Sequence, residues 1–368
     1  MYIEYFFIAL TCLYLLTHLF LYKGLRVSLK LPKNTEVDLP KVSVIVAGRN
    51  EEANIAACIN SLSKINYPSD LLEIIIVNDN STDKTYDIMI ESAKEFSFMK
   101  VINSRKSTSK NLKGKANAID TAIDICSGDI IVSTDADCAV DPDWVSSTVR
   151  YFKADAGMVC GFTMITGDSI FAKVQCIDWL YLLSLASSSA GLNLILSCVG
   201  NNLSFKKKVY SDVGGYESIG FSVTEDLALM RKVDSNENYR ILFPVDKSCL
   251  VRSLPCTSIN ELFSQKRRWF RGGIGINFLG YIVGVELYLM NVLLIFGLFF
   301  VSPKIFLILA VIKILSELIL VENIFKRLSL QSLYVFYPLF SIYFAIYGLI
   351  LPLSFLFKIK IKWKGQKF

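Results

Sequence analysis

The chain has 368 residues, of which 53% are hydrophobic and 20% are charged, and its formal net charge is +6. This length accommodates one catalytic core with segments left over, and the apolar excess lies at the two ends, so the composition excludes an ordinary soluble protein and indicates a membrane protein with a polar middle. The positive charge is too small and too dispersed for a nucleic-acid-binding protein and suits an anionic membrane face better.

The first apolar run predicts a retained membrane anchor, to which we assign residues 1–26. Residues 5–22 contain no charged side chain and are about as long as a helix that crosses the hydrocarbon core. The start, Met-Tyr-Ile-Glu, lacks the basic residues of a signal peptide. Four basic residues flank the end of the run, namely Lys23, Arg26, Lys30 and Lys33. By the positive-inside rule, we expect a multi-pass protein of the cytoplasmic (inner) membrane whose central domain faces the cytoplasm.

The chain contains one histidine, His18, and nine cysteines. Because His18 lies inside the anchor, a histidine-based metal site or Ser-His catalysis in the polar middle is excluded. We expect this side chain to contact headgroups or a neighbouring helix. The cysteines form no C-x-x-C pair, and several lie on apolar stripes, which predicts buried, reduced thiols in a cytosolic setting.

From residue 42, apolar runs of strand length alternate with segments of helical period. The fully apolar run at 74–77 implies a parallel sheet covered on both faces. The pattern therefore predicts an α/β fold with a Rossmann-like, mostly parallel sheet, which we place within residues 40–273. In its first part we predict strands at 42–48, 72–77, 100–103 and 129–134, a segment of helical spacing at 55–62 and a helix at 116–126.

Two later segments of this domain are less regular. A strand is predicted from Met158 to Ile165. The mixed stretch 170–190 carries Asp178, Trp179 and Tyr181 among leucines and serines. We expect this stretch to form a helix that lies along the membrane interface rather than one that spans the bilayer.

The C-terminal part, residues 274–358, is predicted to form two to four membrane helices. Candidate spans lie near 287–301, 305–321 and 334–357. The middle one carries Lys313 and Glu317 four residues apart, which could pair with each other or face a partner helix. Three spans would place the basic tail, 359–368, outside the cell against the charge rule, whereas two or four would keep it inside.

Carboxylates follow two of the predicted strands. Asp79 lies in Val-Asn-Asp-Asn-Ser-Thr-Asp after the second strand, and Asp135 and Asp137 follow the fourth. In open α/β sheets, ligands bind beyond the carboxyl ends of the strands, so we expect these side chains to share one crevice. A second D-x-D pair, Asp141 and Asp143, opens a helix and is interpreted as a cap.

The crevice carboxylates suit a nucleoside diphosphate only if a divalent cation lies between the two anions. We expect Mg²⁺ or Mn²⁺, with Asp137 as a direct ligand and Asp135 reaching the metal shell or a ribose. Lys115, at a predicted helix start, attracts phosphate in one interpretation and is a solvated loop residue in the other.

Two later motifs have both a structural and a functional interpretation. Glu225 and Asp226 either cap a helix or act as acid and base. Ser258 and Glu261 form a capping box, and the helix that follows places Gln265 and Trp269 on one face with Arg268 nearby. These side chains either contact substrate or form an interfacial Arg/Trp belt before a membrane helix.

Together, these motifs resemble those of the membrane-bound family-2 glycosyltransferases with a GT-A fold. That family includes cellulose, hyaluronan, chitin and poly-N-acetylglucosamine synthases, and the chain also looks similar to ceramide glucosyltransferases. The resemblance covers residues 42 to about 273 and implies a GT-A domain with N- and C-terminal transmembrane helices. It assigns Glu51 and Asp79 to the nucleotide, Asp135 and Asp137 to the metal, Glu225 and Asp226 to the catalytic-base motif, Gln265, Arg268 and Trp269 to the Q-x-x-R-W motif, and Asn201 to an acceptor loop.

The sequence departs from the family pattern at two places. The usual aspartate pair after the second strand is here Asn78-Asp79, and the common proline after the first strand is absent from Val-Ala-Gly-Arg-Asn-Glu-Glu. Neither departure removes a metal-binding or base carboxylate.

The resemblance implies an inverting hexosyltransferase of cell-envelope biogenesis that uses a nucleotide sugar, UDP-linked by our expectation, and a divalent cation. The acceptor is expected to be a lipid or a lipid-linked glycan in the membrane, because a polymer channel needs more spans than the sequence offers. A processive polysaccharide synthase is the alternative. A non-catalytic nucleotide-sugar-binding scaffold is less favoured because Asp137 and Asp226 are both present. A dinucleotide-dependent oxidoreductase is disfavoured because no G-x-G-x-x-G follows the first strand.

Overall fold

The structure is a computed structural model that describes residues 2–33, 39–107, 111–153 and 155–354, with two short strands within 362–367. The rest of the predicted basic tail lies outside the described residues. The described part of the chain contains twelve strands, namely β1 (Val42–Gly48), β2 (Leu72–Asn78), β3 (Met99–Asn103), β4 (Ile130–Asp135), β5 (Cys138–Val140), β6 (Ala156–Cys160), β7 (Thr163–Ile165), β8 (Leu203–Lys206), β9 (Arg240–Leu242), β10 (Val251–Ser253), β11 (Lys362–Trp363) and β12 (Gln366–Lys367).

Thirteen α-helices accompany these strands in the described residues. They are α1 (Tyr2–Ser28), α2 (Ile55–Leu62), α3 (Thr85–Ala93), α4 (Lys115–Ile125), α5 (Trp144–Val149), α6 (Ile170–Gly191), α7 (Lys207–Asp212), α8 (Gly215–Ile219), α9 (Glu225–Asp234), α10 (Ile259–Gly273), α11 (Phe278–Phe296), α12 (Pro303–Leu328) and α13 (Tyr337–Leu353).

The core of the central domain is a mostly parallel seven-stranded sheet in the order β3-β2-β1-β4-β8-β6-β9. Strands β3, β2, β1 and β4 run parallel, β8 is antiparallel to β4 and β6, and β9 is parallel to β6. The chain moves outward from β1 to β2 and β3 and then returns to the other side of β1. This reversal of strand order leaves a crevice beyond the carboxyl ends of β1 and β4. The predicted α/β fold with a mostly parallel sheet is confirmed.

Both faces of the sheet are buried, as the apolar strands predicted. Ile45 and Ile75 point into a core that includes residues of α4 and α6, whereas Val44 and Ile74 point into a second core with residues of α2 and α3. Burying each such side chain contributes about 1.5–3 kcal/mol relative to leaving it exposed. The sheet is therefore a rigid platform for the loops at its carboxyl edge.

The predicted strand from Met158 to Ile165 is wrong in one respect, because the segment forms two strands in different sheets. β6 pairs with β8 and β9, whereas β7 joins a small sheet in the order β5-β10-β7. Between them, the Asn202 side chain donates a hydrogen bond of 2.7 Å to the carbonyl of Phe162, and Gly161 donates one of 2.8 Å to the carbonyl of Asn202. Between β6 and β7, the Asn202 side chain thus provides a hydrogen bond that a neighbouring strand would otherwise provide.

Among the described residues, four helices are long and apolar enough to cross a membrane, namely Tyr2–Ser28, Ile170–Gly191, Phe278–Phe299 and Gln331–Leu353. The chain therefore has the helices of a membrane protein. The other long C-terminal helix, α12, falls short of this apolarity among the described residues because of its charged side chains, including Lys313 and Glu317. The number of spans and the domain limits stay predictions.

The helix α6 is buried within the protein along most of its length. It packs against α1, α12 and α13 and also against β7 of the central domain. Its backbone approaches that of α1 so closely that a side chain at Gly24 or Gly191 would collide with the other helix. Ser28 also donates a hydrogen bond of 2.8 Å to the carbonyl of Ser187. The predicted location of this helix along the membrane interface stays a prediction.

The long helices α1, α6, α11, α12 and α13 pack together as a helix bundle. Polar side chains are paired inside this bundle. Lys313 and Glu317 form a fully buried ion pair of 2.6 Å, and the hydroxyl of Tyr14 donates a hydrogen bond of 2.8 Å to Glu317. The two charged residues therefore pair with each other and also face a partner helix. His18 lies 3.2 Å from the hydroxyl of Tyr181 on α6, which is the predicted contact with a neighbouring helix. All nine cysteines are free thiols, and all but Cys12 are buried.

Candidate active site

A cavity of ≈ 1090 Å³ lies beyond the carboxyl ends of β1, β2 and β4. The structure brings every site residue singled out in the sequence to its wall. They are Glu51, Asp79, Lys115, Asp135, Asp137, Asn201, Glu225, Asp226, Gln265, Arg268 and Trp269. Residues from seven separate loops and helices thus meet in one space.

Two buried carboxylates lie where β1 and β2 end. Asp79 accepts hydrogen bonds from the hydroxyl of Ser104 at 3.2 Å and from the amide of Asn80 at 3.3 Å. Glu51 accepts one of 2.7 Å from the side-chain amide of Asn54. These neighbours fix both carboxylates at the cavity wall, where they can accept hydrogen bonds from a base or a ribose.

Asn78, the first departure from the family pattern, has a structural role. Its side-chain amide donates a hydrogen bond of 2.7 Å to Asn103 on β3 and its oxygen accepts one of 3.1 Å from the backbone of Ser81. An amide can both donate and accept, which a carboxylate cannot, so asparagine suits this position. The side chain holds the loop that carries Asp79.

A buried lysine connects the carboxylates of two motifs. The ammonium of Lys115 pairs with Asp135 and lies 3.5 Å from Glu225. Burial lowers the pKa of Lys115, but the charges of Asp135, Glu225 and Asp226 outweigh it and leave the pKa raised. Lys115 therefore remains charged, in the middle of the acidic part of the cavity.

The donor set of Asp135 and Asp137 fits a divalent cation shared with a ligand. In the part of the chain that the structure describes, no group of three or more His, Cys, Asp or Glu side chains forms a complete metal site. Mg²⁺ commonly binds through one or two carboxylates together with substrate phosphates. The nearby thiols of Cys58 and Cys138 do not compete as ligands, because burial and the charges of Asp137 and Asp135 raise the pKa of both.

The Glu225-Asp226 motif begins α9 at the cavity wall. One carboxylate oxygen of Asp226 accepts a hydrogen bond of 2.9 Å from the backbone N–H of Leu227. Gly200 lies against this side chain: a β-carbon there would lie 3.1 Å from the second oxygen of Asp226. A helix N-terminus favours a negative charge, so the Asp226 carboxylate is stabilised there. The same side chain lines the cavity and can be reached by a ligand. Thr224 precedes the helix without forming a side-chain cap.

Glu225 has a perturbed pKa. Burial raises the pKa of its carboxyl, Lys115 opposes this rise, and the charge of Asp226 adds to it. The net shift is upward, so Glu225 holds its proton more tightly than an exposed glutamate does. Perturbed acids of this kind concentrate at functional sites.

The helix α10 carries the Q-x-x-R-W residues to the opposite wall. Half of its predicted capping box is present: Ser258 accepts a hydrogen bond of 3.2 Å from the backbone of Glu261. The Glu261 carboxylate accepts one of 2.8 Å from the backbone of Thr257, the residue before the cap, and not from that of Ser258. Arg268 donates a hydrogen bond of 3.2 Å to the carbonyl of Val223. The helix is thus connected to the loop that precedes Glu225.

Asn201 and its neighbour Asn202 have different environments. The side chain of Asn201 accepts a hydrogen bond of 2.8 Å from Thr163 and lines the cavity. Asn202 is a structural residue, since its amide donates to the carbonyls of Phe162 and Cys249 at 2.7 and 2.8 Å.

The predicted capping role of the second D-x-D pair is wrong. Asp141 forms a two-pronged ion pair with Arg252, at 2.6 and 3.0 Å, because β10 lies beside β5. Asp143 precedes α5 but forms no side-chain cap. Neither residue lines the cavity.

A charged residue within the Q-x-x-R-W motif escaped sequence reasoning. Lys266 on α10 lines the cavity and pairs with Asp178 of α6. A carboxylate inside an apolar helix needs a partner, so Asp178 was a signal that such a cation would be found.

The far end of the cavity is apolar. Its wall is formed there by helices α6, α11 and α13, with lining residues that include Leu182, Leu183, Gly280, Val283, Gly284, Leu287 and Leu351. At Gly284, a β-carbon would meet open space within 4 Å. The cavity therefore runs without interruption from acidic strand ends to membrane-type helices.

Comparison with known sequences gives consistent matches. The family described as "Glycosyl transferase family 2" matches residues 43–214, and the one described as "Glycosyl transferase family group 2" matches residues 130–357. The chain is 28% identical to a beta-monoglucosyldiacylglycerol synthase of Nostoc sp. over 66% of this chain and 50% of that protein. It is 29% identical to a poly-beta-1,6-N-acetyl-D-glucosamine synthase of Staphylococcus epidermidis over 67% and 57%. The chain thus spans about half the length of these relatives.

Among solved structures, the chain is similar to the mannosyltransferase PcManGT from Pyrobaculum calidifontis in complex with GDP-Man and Mn²⁺. The TM-score is 0.58 at 20% sequence identity, and the match covers 92% of this chain and 98% of that one. This likeness concerns the fold, and the predicted GT-A domain with apolar helices at both ends is confirmed.

Proposed function

Since the chain belongs to the glycosyl transferase family group 2, we propose that it is an inverting hexosyltransferase. It moves a sugar from a UDP-linked donor to a lipid or lipid-linked acceptor in the membrane. The observation that carries this proposal is the single cavity that joins the acidic strand ends to the apolar helices α6, α11 and α13. A water-soluble donor and a membrane-held acceptor can meet in such a space.

The donor lies at the acidic end of the cavity in this proposal. Glu51 and Asp79 accept hydrogen bonds from the base and ribose, while Lys115 and Arg268 face the diphosphate. Gln265 lies one helical turn before Arg268 on α10. Asn201 and Trp269 lie toward the acceptor sugar or headgroup, with the indole offering a flat apolar face.

Asp137 and Asp135 would hold Mg²⁺ or Mn²⁺ in the proposed complex. When bound, the cation would supply positive charge opposite the diphosphate. Lys115 pairs with Asp135 and adds fixed positive charge at the same place. Arg268 supplies a second positive charge, from α10.

The proposed transfer is one displacement at the anomeric carbon. The acceptor oxygen forms a bond to this carbon as the bond to the UDP phosphate oxygen breaks, and the electron pair leaves with UDP. Asp226 accepts the proton of the acceptor hydroxyl. Because the attack comes from the face opposite the leaving group, the configuration inverts. The positive charge of Lys115 offsets the negative charges of Glu225 and Asp226 beside the reacting hydroxyl.

The apolar end of the cavity supports a lipid acceptor, because hydrocarbon chains can pack between α6, α11 and α13. One relative is named for a glucosyldiacylglycerol product, which agrees with this choice. Another is named for a polysaccharide. A processive polysaccharide synthase is therefore the second candidate.

The proposal is tested with purified protein in phosphatidylcholine vesicles that contain diacylglycerol and Mn²⁺. Radiolabelled UDP-glucose, UDP-galactose and UDP-N-acetylglucosamine are supplied one at a time, with GDP-mannose for comparison. We expect label in a product that organic solvent extracts. An insoluble product would favour the polymer synthase, and no transfer from any donor would contradict both candidates.

Asp226→Asn tests the base. Transfer should fall by about 10²–10⁴-fold, the range for general-base catalysis, while UDP binding stays within about twofold as measured by calorimetry. Asp234→Asn on the same helix is the control, since Asp234 is exposed and lies outside the cavity lining. Equal turnover by Asp226→Asn would remove this residue from the mechanism.

A further inference from the structure

A buried polar cluster connects α6, α10 and α13 beside the cavity. Asp178 on α6 pairs with Lys266 on α10, and the two side chains are 0% and 4% exposed. Asp178 also accepts hydrogen bonds from Tyr347 at 2.8 Å and from Tyr343 at 3.3 Å, both on α13. One carboxylate therefore joins three helices that are far apart in the sequence.

The cation of this cluster lies over the indole of the Q-x-x-R-W motif. The ammonium of Lys266 is 4.5 Å from the centroid of the Trp269 ring and 5.3 Å from that of Tyr347. Trp179, the neighbour of Asp178 on α6, contacts the Trp269 ring edge-to-face, with centroids 4.8 Å apart and planes at 76°. Two residues of one cluster thus fix the orientation of this indole.

Stability alone does not account for the ion pair. A buried pair can often be replaced by neutral side chains of similar size at little cost, because desolvation offsets the attraction. The start of α10 is also fixed to α6 independently: Gln175 exchanges two hydrogen bonds with the backbone of Cys256, at 2.9 and 3.1 Å. These hydrogen bonds join α6 to the segment before α10 without the ion pair. We therefore look for a role of the two charges other than holding the helices together.

We propose that Asp178 and Lys266 are positioning residues that hold the Trp269 indole in place for the acceptor. This inference rests on the proposed function. Asp178 fixes the ammonium, the ammonium and Trp179 fix the indole, and the indole binds the acceptor headgroup. Loss of the charges should weaken acceptor binding and leave the donor end unchanged.

The decisive variant is the double substitution Asp178→Asn/Lys266→Met, which removes both charges and leaves no unpaired ion. The donor is whichever UDP-sugar of the panel gives product, and the acceptor is diacylglycerol in phosphatidylcholine vesicles. The variant loses the cation–π contact that orients the indole, so we expect the acceptor KM to rise about tenfold. The donor KM should stay within about twofold, and the unfolding temperature close to that of the unaltered chain.

The matched control is Lys313→Met/Glu317→Gln, which neutralises the other fully buried pair, on α12 and outside the cavity lining. It should leave both KM values unchanged. Lys266→Arg keeps a cation and should retain the acceptor KM within about threefold. Tyr343→Phe removes one donor to Asp178 without altering the cavity wall. It should raise the acceptor KM modestly, and it tests the cluster even if the double variant does not fold.

A stable double variant with an unchanged acceptor KM would overturn this inference and leave the proposed function intact. An unchanged KM for Tyr343→Phe, combined with a double variant that does not fold, would also overturn it and assign the cluster to stability. If the unaltered chain transfers no sugar, the proposed function fails and this inference fails with it.

Discussion

At the scale of single residues, Glu225 sets how the site responds to pH. Burial raises its pKa, so the folded chain favours the protonated form. The stability that the proton contributes is complete below the ordinary glutamate pKa and is lost as the pH rises through the higher, folded-state value. Above that value the folded chain carries a buried charge, which Lys115 compensates only in part.

Glu225→Gln should therefore raise the unfolding temperature at pH 8, because glutamine mimics the protonated carboxyl and Lys115 keeps Asp135 as a partner. The difference should shrink to nothing near pH 4. Thermal unfolding of both proteins across this range is the measurement. Glu217→Gln, at an exposed site, is the control, and its unfolding temperature should match that of the unaltered chain at every pH. A lower unfolding temperature for Glu225→Gln at pH 8 would contradict the upward pKa shift.

The two D-x-D pairs provide a second test at this scale. Asp137→Asn removes a proposed metal ligand, so transfer should fall by at least about 100-fold, and Mn²⁺ should no longer strengthen UDP binding in calorimetry. A chelator should have the same effect on the unaltered chain, reversed by added Mn²⁺ or Mg²⁺. Asp141→Asn disturbs only the partly exposed ion pair with Arg252. Its rate of sugar transfer should therefore stay within about twofold of that of the unaltered chain. Similar losses for both variants would contradict the metal assignment.

Residue types at strand ends were enough to predict that Asp79, Asp135 and Asp137 would share the cavity, because the geometry of a parallel sheet brings its loops together. The later motifs were assigned to the site only through the family resemblance. The partners of those side chains were not predictable in the same way. The pairing of Lys115 with Asp135 and Glu225 depends on where α4 and α9 begin in space. Asp141 appeared to be a cap in the sequence, since nothing there shows that Arg252 lies on the adjacent strand.

At the scale of the elements, α11 determines the shape of the apolar end. Gly284 lines the cavity and has open space where a β-carbon would lie. Gly284→Leu should fold, because leucine also suits a helix better than glycine.

This substitution places hydrocarbon in the proposed lipid space, so the acceptor KM should rise about tenfold. Such an increase lies within the range by which a small change of apolar volume in a hydrophobic pocket alters binding. The donor KM should not change. Val285→Leu, at the next residue and exposed on the outer surface, is the control. Steady-state kinetics with diacylglycerol vesicles distinguish the two, and an unaffected Gly284→Leu variant would exclude this end of the cavity from acceptor binding.

The elements themselves were largely predictable. Hydrophobic period locates β1, β2, β4 and α4 to within a few residues, because each must bury a known face. The break between β6 and β7 was not visible, since it is made by the side chain of Asn202 from a distant loop. The first C-terminal helix also begins earlier than the apolar run suggested, because Asn277 caps it.

At the scale of the whole molecule, the two ends of the bundle are distinguishable. Ser302, between α11 and α12, donates a hydrogen bond of 3.4 Å to Glu4, at the start of α1. At the other end, Lys247 of the central domain lies 3.2 Å from Ser329, just after α12. The loop before α12 is therefore remote from the central domain.

Labelling with a membrane-impermeant maleimide tests the proposed orientation. Phe299→Cys, at an exposed site in this remote loop, should react in intact cells, whereas Lys64→Cys, at an exposed site of the central domain, should react only after the membrane is opened. The unaltered chain is the control, since Cys12 alone is exposed among its thiols. Reaction of Lys64→Cys in intact cells would place the catalytic domain outside.

The class of the whole molecule followed from composition and from the order of the motifs, whereas the number of membrane spans did not. α12 shows why: Lys313 and Glu317 pair with each other inside the protein, so a helix that packs within the bundle carries charges that make it look less apolar than a membrane span.

The union of a polar and an apolar compartment in one cavity affects how the protein must be handled. A solubilising detergent carries a hydrocarbon tail, as the proposed lipid acceptor does. We therefore expect detergent in micellar preparations to compete for the end formed by α6, α11 and α13. Exchange into nanodiscs, where the surfactant is removed, should restore turnover.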